Sequence, residues 1–393
     1  MAIDPDFDPH IAKVVEKLLT KLWDGEVVLG SHTTFREHKC YRLLVDRAPS
    51  GCPGSVFVKM ARPSDGIAID PDSTIPNPSH RLLDEWAGLQ FLTEIAPDGS
   101  LAPRFYGGDR ASCIIVYEDL GEAQSLADAV MGSDAEWASE ALCLHAQEVA
   151  RLHCQSMSHE CRYESIRDSL GPRVANREGL GWAQFADQRP ALSDGFAALG
   201  VHPDPGFWDE YHRVGEAIYA PGSYRAYVHN DTCPDNNWLG GTRMRLIDFE
   251  RGGFHHRLID AAFARMSMPH CYLASVVPSA VIRRVEQTYR EAVLTLRPEV
   301  ADDWRFDAEL VNACFYWTVS NGTWDFVGSL GHDFQWGECS WRQRVLHRLV
   351  ALAETCEEFG CMPAVARTAR KCAERLRGIW TVEDLPLFPA FRA

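Results

Sequence analysis

Asp231 and Asn236 share a short polar loop, His229-Asn230-Asp231-Thr232-Cys233-Pro234-Asp235-Asn236, and Asp248 follows Asn236 by twelve positions. Asp248 ends the apolar run Leu246-Ile247, and Gly240-Gly241-Thr242 lies between Trp238-Leu239 and residues 244–247, a hairpin signature. Such a turn folds the second strand back along the first and returns Asp248 toward the loop. A carboxylate and an amide oxygen brought together in this way suit a hard cation such as Mg²⁺. That ion takes oxygen ligands and keeps phosphates and waters in its remaining positions. Asp231 is then a candidate to accept the proton of an attacking hydroxyl. Phosphoryl transfer needs these parts and a cation on the phosphate chain, because its loose transition state is stabilised by positioning and charge. Lys59, near the end of the strand-like run Ser55–Met60, is the candidate cation, and Glu85 on the helix that follows is its natural partner.

The elements that must position these residues show in the periodicity. Residues 8–22 carry Ile11, Val14, Val15, Leu18, Leu19 and Leu22 at helical spacing. Strand-like runs follow at 26–29 and 39–45, with residues 30–38 read as a polar loop between them. Ser55–Met60 is β-branched and aromatic, a third strand. Residues 62–80, rich in Pro, Asp and Ser, predict a long exposed loop, and a helix starts near Ser79 with Leu82, Leu83, Trp86, Leu89 and Leu92. An apolar strand at 111–116 runs into Tyr117-Glu118-Asp119-Leu120-Gly121. Beyond Gly121 helical periodicity dominates, at 136–157, 164–220 and from 258 onward, broken by the loop and hairpin around residue 229.

The motif His229-x-Asp231-x-x-x-x-Asn236, followed by Ile247-Asp248-Phe249-Glu250, resembles the aminoglycoside phosphotransferase and choline kinase superfamily, relatives of the protein kinases. Val58-Lys59 is similar to the family's phosphate-binding lysine strand, and Asp84-Glu85-Trp86 to the opening of the lysine-partner helix. Residues 115–121 are similar to the inter-lobe linker whose backbone groups hold adenine. The resemblance implies an α+β, protein-kinase-like bilobal fold. Its N-terminal lobe (1–118) would be an antiparallel sheet with a helix and would bind nucleotide; its larger, mainly helical C-terminal lobe (119–393) would carry catalysis and the substrate. It further implies transfer of the γ-phosphate of ATP or GTP to a hydroxyl of a small molecule, such as an aminoglycoside, a choline-like amine or a related metabolite. Asp231 would be the catalytic base, Asn236 and Asp248 would hold Mg²⁺, and Lys59 with Glu85 would serve the α and β phosphates. Glu118 and Leu120 would meet adenine. Asp260, in Leu258-Ile259-Asp260-Ala261-Ala262, resembles the family's buried aspartate that braces the catalytic loop, and His229 becomes a structural residue of that loop.

The chain also departs from the protein-kinase pattern. Gly30-Ser31-His32-Thr33-Thr34-Phe35 holds one glycine where protein kinases have a glycine-rich loop, so Ser31 is either a phosphate contact or part of an ordinary hairpin turn. Asn230 stands where protein kinases carry the arginine that answers activation-loop phosphorylation. The span from Asp248 to Asp260 leaves no room for a long activation segment. Both departures favour a small-molecule acceptor over a protein.

Composition narrows the classes further. A chain of 393 residues exceeds the usual size of one hydrophobic core. A formal charge of -16, from 39 basic and 55 acidic side chains, disfavours nucleic acid and anionic membranes as partners and favours a cationic acceptor. The same charge also serves solubility. No apolar run of about 18 residues predicts a spanning helix. The acidic, Pro-containing start lacks the build of a signal peptide. The 13 cysteines include no Cys-x-x-Cys pair, so reduced thiols in a cytoplasmic protein are expected. Cys233 reads as a small loop residue and His255-His256 as a solvated turn. Trp304, Trp317, Trp324, Trp336 and Trp341, interleaved with Asp302, Asp303, Asp307, Asp325 and Asp333, suit either an amine-binding wall or a helical core. The competing readings are a nucleotide-binding pseudokinase, against which the full residue set speaks, and a protein kinase. A metal hydrolase built on His229 and Asp231 lacks zinc-ligand spacing. Oligomeric state is not legible in the sequence.

Overall fold

A computed structural model describes residues 8–35, 39–64, 66–174, 182–240, 243–300, 305–320 and 325–392. In chain order the elements begin with α1 (Pro9–Leu22), β1 (Val28–Phe35), β2 (Cys40–Arg47), β3 (Ser55–Met60), α2 (Pro78–Ile95), β4 (Phe105–Asp109) and β5 (Ile114–Glu118). They continue with β6 (Gln124–Ser125), α3 (Leu126–Val130), α4 (Ala135–Ser156), α5 (Glu160–Ser169), α6 (Trp182–Leu199), α7 (Phe207–Tyr219), β7 (Arg225–Val228), β8 (Asn237–Gly240) and β9 (Arg243–Leu246). The remainder is β10 (Gly253–His256), α8 (Leu258–Ala261), α9 (Ser279–Leu296), α10 (Phe306–Thr318), α11 (Asp325–Gly331), β11 (Gln335–Trp336), β12 (Cys339–Ser340), α12 (Trp341–Glu358) and α13 (Pro363–Arg377). Two compact units result, one from residues 1–123, 158–175 and 245–252, the other from 124–157, 176–244 and 253–393.

The first unit is built on an antiparallel sheet ordered β1-β2-β3-β5-β4, with α2 joining β3 to β4. Alternate residues of its central strands, Tyr41, Leu43, Val56, Val58, Ile114 and Val116, face one way and form a core with Ile11, Val15 and Leu19 of α1. The Asp8 side chain caps α1 by accepting the His10 N–H, and Pro9 occupies the first turn where no N–H is needed. α2 is buried almost all round, as its run of buried side chains from Leu82 to Leu92 shows. Its polar residues there therefore need partners. Asp84 accepts from the buried guanidinium of Arg167 on α5, which also donates to the Gly171 and Pro172 carbonyls.

Two sequence readings are corrected in this unit. Residues 30–35, expected in a polar loop, are strand: β1 pairs with β2 from Val28↔Arg47 to Phe35↔Cys40. The run His-Thr-Thr-Phe has the β-branched and aromatic character of a strand, and its polar groups sit on half-buried positions. The ladder shifts register between Leu29 and His32, which sets Gly30 and Ser31 in a bulge. The remainder of that expected loop, residues 36–38, lies outside the described residues. β4 was not expected, because its Gly107-Gly108 pair weakens the strand pattern. Those glycines answer close approach: a Cβ on Gly108 would lie 2.4 Å from the Trp86 ring, and Gly107 has φ +143 beside Leu18.

The second unit is mainly helical. α4 packs against α9, α12 against α13, and α10 against α7, α8 and α12. Asp134 caps α4 with bonds from the Glu136 and Trp137 N–H groups. β6 pairs with β8, and β7 pairs antiparallel with β10 from Val228↔Gly253 to Arg225↔His256. Gly241 and Thr242 of the expected hairpin turn lie outside the described residues. β7 and β10 overturn the solvated-turn reading of His255-His256. His256 is fully buried, stacked 5.1 Å from the Tyr224 ring, with Nε2 3.2 Å from Glu309 Oε2. No helix among the described residues is long and apolar enough to cross a membrane.

The Asp84–Arg167 pair generates a stability prediction. Arg167→Ala leaves a buried carboxylate without its guanidinium, a change that costs about 3–5 kcal/mol. Thermal unfolding of the full chain should show a correspondingly lower midpoint, and an unchanged midpoint would contradict the assigned role of the pair.

Candidate active site

In the first unit the chemistry converges on Lys59. Cys40 of β2 and Ile115 of β5 flank it in the ladder, and its side chain lies on the sheet face opposite Val56 and Val58. Nζ stands 2.5 Å from Glu85 Oε2, 2.5 Å from Asp248 Oδ1 and 3.6 Å from Glu250 Oε2. Burial opposes the ammonium, but Asp248, Glu85 and Glu250 together hold the Lys59 pKa well above its ordinary value. Glu85 is 1% exposed, and burial together with the negative charge of Asp248 and Glu250 pushes its carboxyl up to about 7 against the pull of Lys59. Lys59 thus stays charged, and Arg81 meets Glu250 from its other side at 3.6 Å. Oxygens of Glu85, Asp248 and Glu250 lie within 4.8 Å of one another. Such an all-oxygen, electronegative donor set fits a hard divalent cation.

Asp248 follows β9 with φ +69, the left-handed region that aspartate tolerates better than most side chains. Glu250, two residues further on, was not assigned a role from sequence, although its place in Ile-Asp-Phe-Glu was visible. The linker also yields a residue that sequence reasoning missed. The Asp119 side chain is 4% exposed; it accepts from Ser55 Oγ at 2.7 Å and from the Gly121 N–H at 3.0 Å, with Arg42 Nε at 2.7 Å. It therefore ties the linker to β2 and β3. Glu118 uses its N–H on the Arg104 carbonyl at 2.8 Å, and its side chain pairs with Arg245 at 2.8 Å. Leu120 makes no backbone hydrogen bond among the described residues. Ser31 is exposed in the β1 bulge, ahead of the β1–β2 turn.

In the second unit the loop after β7 is organised by Asp260 on α8. Its Oδ2 accepts the His229 N–H at 2.7 Å and its Oδ1 the Asn230 N–H at 2.8 Å. Asn230 has φ +57, a conformation that Asn adopts more readily than the arginine found there in protein kinases. His153 of α4 places Nε2 3.1 Å from Asp260 Oδ2 and Nδ1 2.9 Å from the Tyr289 hydroxyl on α9. Burial would raise the Asp260 carboxyl, but His153 and His229 hold it below its ordinary value. Burial in turn lowers His153, so a neutral imidazole donates to a charged carboxylate. His229 accepts the Asp231 N–H at Nδ1, 3.2 Å away.

A 3₁₀ turn at Pro234–Asn236 closes the loop. The Asn236 amide nitrogen donates to the Asp231 carbonyl at 3.0 Å, which leaves its oxygen as the atom for a cation. Asn237 donates to the Cys233 carbonyl at 2.6 Å and meets His145 Nδ1 at 2.8 Å through Oδ1. Burial pushes the Cys233 thiol well up, so it is no thiolate nucleophile. A further unpredicted residue, His270, sets Nε2 3.0 Å from Asp231 Oδ1.

Among the described residues, the tryptophans weighed as an amine-binding wall or a helical core are engaged within the chain. Trp304 and Trp324 lie outside the described residues. Trp317 is 1% exposed and donates to the Ile259 carbonyl. Arg344 lies 4.4 Å from the Trp336 ring centroid and Arg348 5.5 Å from that of Trp341, so the chain's own cations take those faces.

His145 supports a pH prediction. Burial lowers its pKa from 6.5 to about 4. Between those values the unfolded chain binds a proton that the native imidazole does not, so stability falls as pH drops through that window. The loss approaches about 3 kcal/mol below pH 4. Melting curves across pH 4–7 should be flatter for His145→Gln than for the unsubstituted chain; identical slopes would contradict the burial argument.

No family model matches the chain, and no curated protein matches it. Solved structures similar to it include the choline kinase LicA from Streptococcus pneumoniae, 14% identical, covering 88% of this chain and 99% of that one with a TM-score of 0.41. The Plasmodium vivax ethanolamine kinase is 12% identical, covering 86% of this chain and 84% of its own, with a TM-score of 0.46. The APH(2")-IIa complex with gentamicin is 13% identical, covering 91% of this chain and all of that one, with a TM-score of 0.44.

Proposed function

We propose that the chain is a Mg²⁺-dependent phosphotransferase that moves the γ-phosphate of ATP or GTP to a hydroxyl of a small molecule. The observation that carries this reading is the buried ammonium of Lys59, held by Glu85 of α2 and by Asp248, in a pocket with surplus negative charge. A lone structural ion pair needs one carboxylate. A lysine fixed among three is suited to a site that a metal ion and phosphates complete.

In this reading Lys59 neutralises the α and β phosphates, and the linker at Glu118 and Leu120 meets adenine through its backbone. Asn236 and Asp248 hold Mg²⁺, which supplies charge neutralisation on the phosphates when bound. Asp231 accepts the proton of the acceptor hydroxyl. The acceptor oxygen bonds to the γ-phosphorus as the bond from that phosphorus to the bridging oxygen breaks, and the nucleoside diphosphate leaves. Ser31, exposed in the β1 bulge, is a candidate phosphate contact. The absence of an arginine at Asn230 supports a small-molecule acceptor. The net charge of -16 favours a cationic one over an anionic one. Cysteines that are all free fit a reducing, cytoplasmic setting.

Nucleotide consumption by the purified chain across amino sugars, choline-like amines and other hydroxyl compounds tests the reading. Asp231→Ala should lower turnover by roughly 10²–10⁴-fold with nucleotide affinity retained. Lys59→Ala should weaken nucleotide binding itself. Nucleotide binding without consumption on any acceptor would favour the non-catalytic pseudokinase reading, and unchanged turnover in Asp231→Ala would remove Asp231 as the base.

A further inference from the structure

His270 lies between α8 and α9, remote in sequence from the loop that carries Asp231, yet its Nε2 is 3.0 Å from Asp231 Oδ1. The segment that delivers it is unusual in three respects. Ser267 and Met268 both have φ +56, two consecutive non-glycine residues in the left-handed region, an arrangement that persists only where its surroundings enforce it. The enforcement comes from α12. Arg348 donates to the Pro269 carbonyl and Arg344 to the Cys271 carbonyl at 2.7 Å, so the carbonyls on either side of His270 are each held by an arginine that is at most 2% exposed. The imidazole itself packs 5.2 Å from the Phe263 ring and 5.1 Å from the Trp317 ring. Trp317 is locked in turn by its bond to the Ile259 carbonyl at 2.7 Å.

Backbone and ring are therefore both fixed, and the group they aim at is the carboxylate assigned as the base. A second pairing runs alongside the first: Cys233, two residues after Asp231, and Cys271, next to His270, bring their sulfurs within 4.8 Å. The loop of Asp231 and the segment of His270 thus meet at two adjacent places. The aim of the imidazole at Asp231 is thus set both by its own ring packing and by the clamped carbonyls on either side of it.

We propose that His270 is a positioning residue for Asp231, its Nε2–H holding Oδ1 so that the carboxylate is presented in one orientation to the acceptor hydroxyl. This rests on the phosphotransferase reading for its consequence, though the pairing can be tested without it. A carboxylate offers several lone-pair sites, so one oxygen bound by the imidazole still leaves the group able to take the acceptor's proton. Small misplacement of such a group costs turnover more than binding.

The test uses the full chain. With Mg²⁺-ATP and an acceptor found in the panel above, His270→Ala should lower kcat roughly 10–100-fold. Its affinity for Mg²⁺-ATP should stay within about threefold of the unsubstituted chain, the signature of an effect confined to the reacting step. His270→Gln, which returns an N–H donor, should recover a substantial part of the lost kcat. Independently of any acceptor, ¹⁵N-histidine spectra should show the His270 signal, identified by its loss in His270→Gln, shifting in Asp231→Asn. An unmoved signal overturns the pairing. Unchanged kcat in His270→Ala overturns the positioning role, as does a loss in which nucleotide affinity and melting temperature fall together and glutamine restores nothing. If no acceptor is phosphorylated by the unsubstituted chain, the phosphotransferase reading fails by itself, and the spectra still decide whether His270 holds Asp231.

Discussion

The carboxylate of Asp260 takes the N–H groups of His229 and Asn230, one on each oxygen, and the shape of the loop that carries Asp231 and Asn236 depends on that bond pair. The two N–H groups are buried where no strand continues, so without an acceptor each would cost about 1–3 kcal/mol. With both oxygens engaged, Asn230 can be held left-handed and Asp231 is turned out of the line of β7. The same carboxylate reaches α4 through His153, and His153 reaches α9 through Tyr289. One buried charge thereby joins a strand end, a short helix and two long helices. Its cost is offset because every neighbour is a donor, and its pKa stays low despite burial.

The Lys59 cluster follows the opposite electrostatic plan. Asp260 has donors enough to be content as an anion, whereas Glu85 and Asp248 share the Lys59 ammonium and Glu250 stands 3.6 Å from both Lys59 and Arg81. Burial first, and the negative charge of Asp248 and Glu250 after it, raises the Glu85 carboxyl to about 7 against the pull of Lys59. Perturbed groups of this kind gather where a ligand completes the charge balance.

Buried arginines do much of the remaining positioning. Arg167 holds Asp84 and two carbonyls, while Arg344 and Arg348 hold the carbonyls around His270. Guanidinium suits this work because its planar fork of donors can satisfy several acceptors at once and keeps its charge when buried. In a chain with far more acidic than basic residues, this use of arginine also explains the aromatic region. Arg344 and Arg348 also lie over the Trp336 and Trp341 rings, two of the tryptophans weighed as an amine-binding wall.

Much of the architecture is legible in the sequence alone. The α1 stripe, the β3 strand, the α4 helix and the α+β division follow from local periodicity, which burial on one face imposes wherever such an element forms. Lys59, Glu85, Asp231, Asn236 and Asp248 were singled out by type and order along the chain and Asp260 by the family resemblance; the structure sets Lys59 between Glu85 and Asp248, and Asp260 on the N–H groups of His229 and Asn230. The strand character of residues 30–35 was hidden by their polarity, and β4 by the two glycines that make room for Trp86 and Leu18. The burial of His256 could not be seen either, since it depends on β10 pairing with β7, more than twenty residues upstream.

By itself, then, the sequence determined which groups could act, because their types and spacing are properties of one short stretch at a time. Only the tertiary structure decided who stands beside them. Asp119 under the linker, Glu250 beside Lys59 and His270 on Asp231 owe their places to backbone paths set by distant packing. A contact at 3.0 Å between residues 39 positions apart leaves no mark on local pattern or spacing. It exists because α12 clamps the segment of His270 while α8 fixes the loop of Asp231.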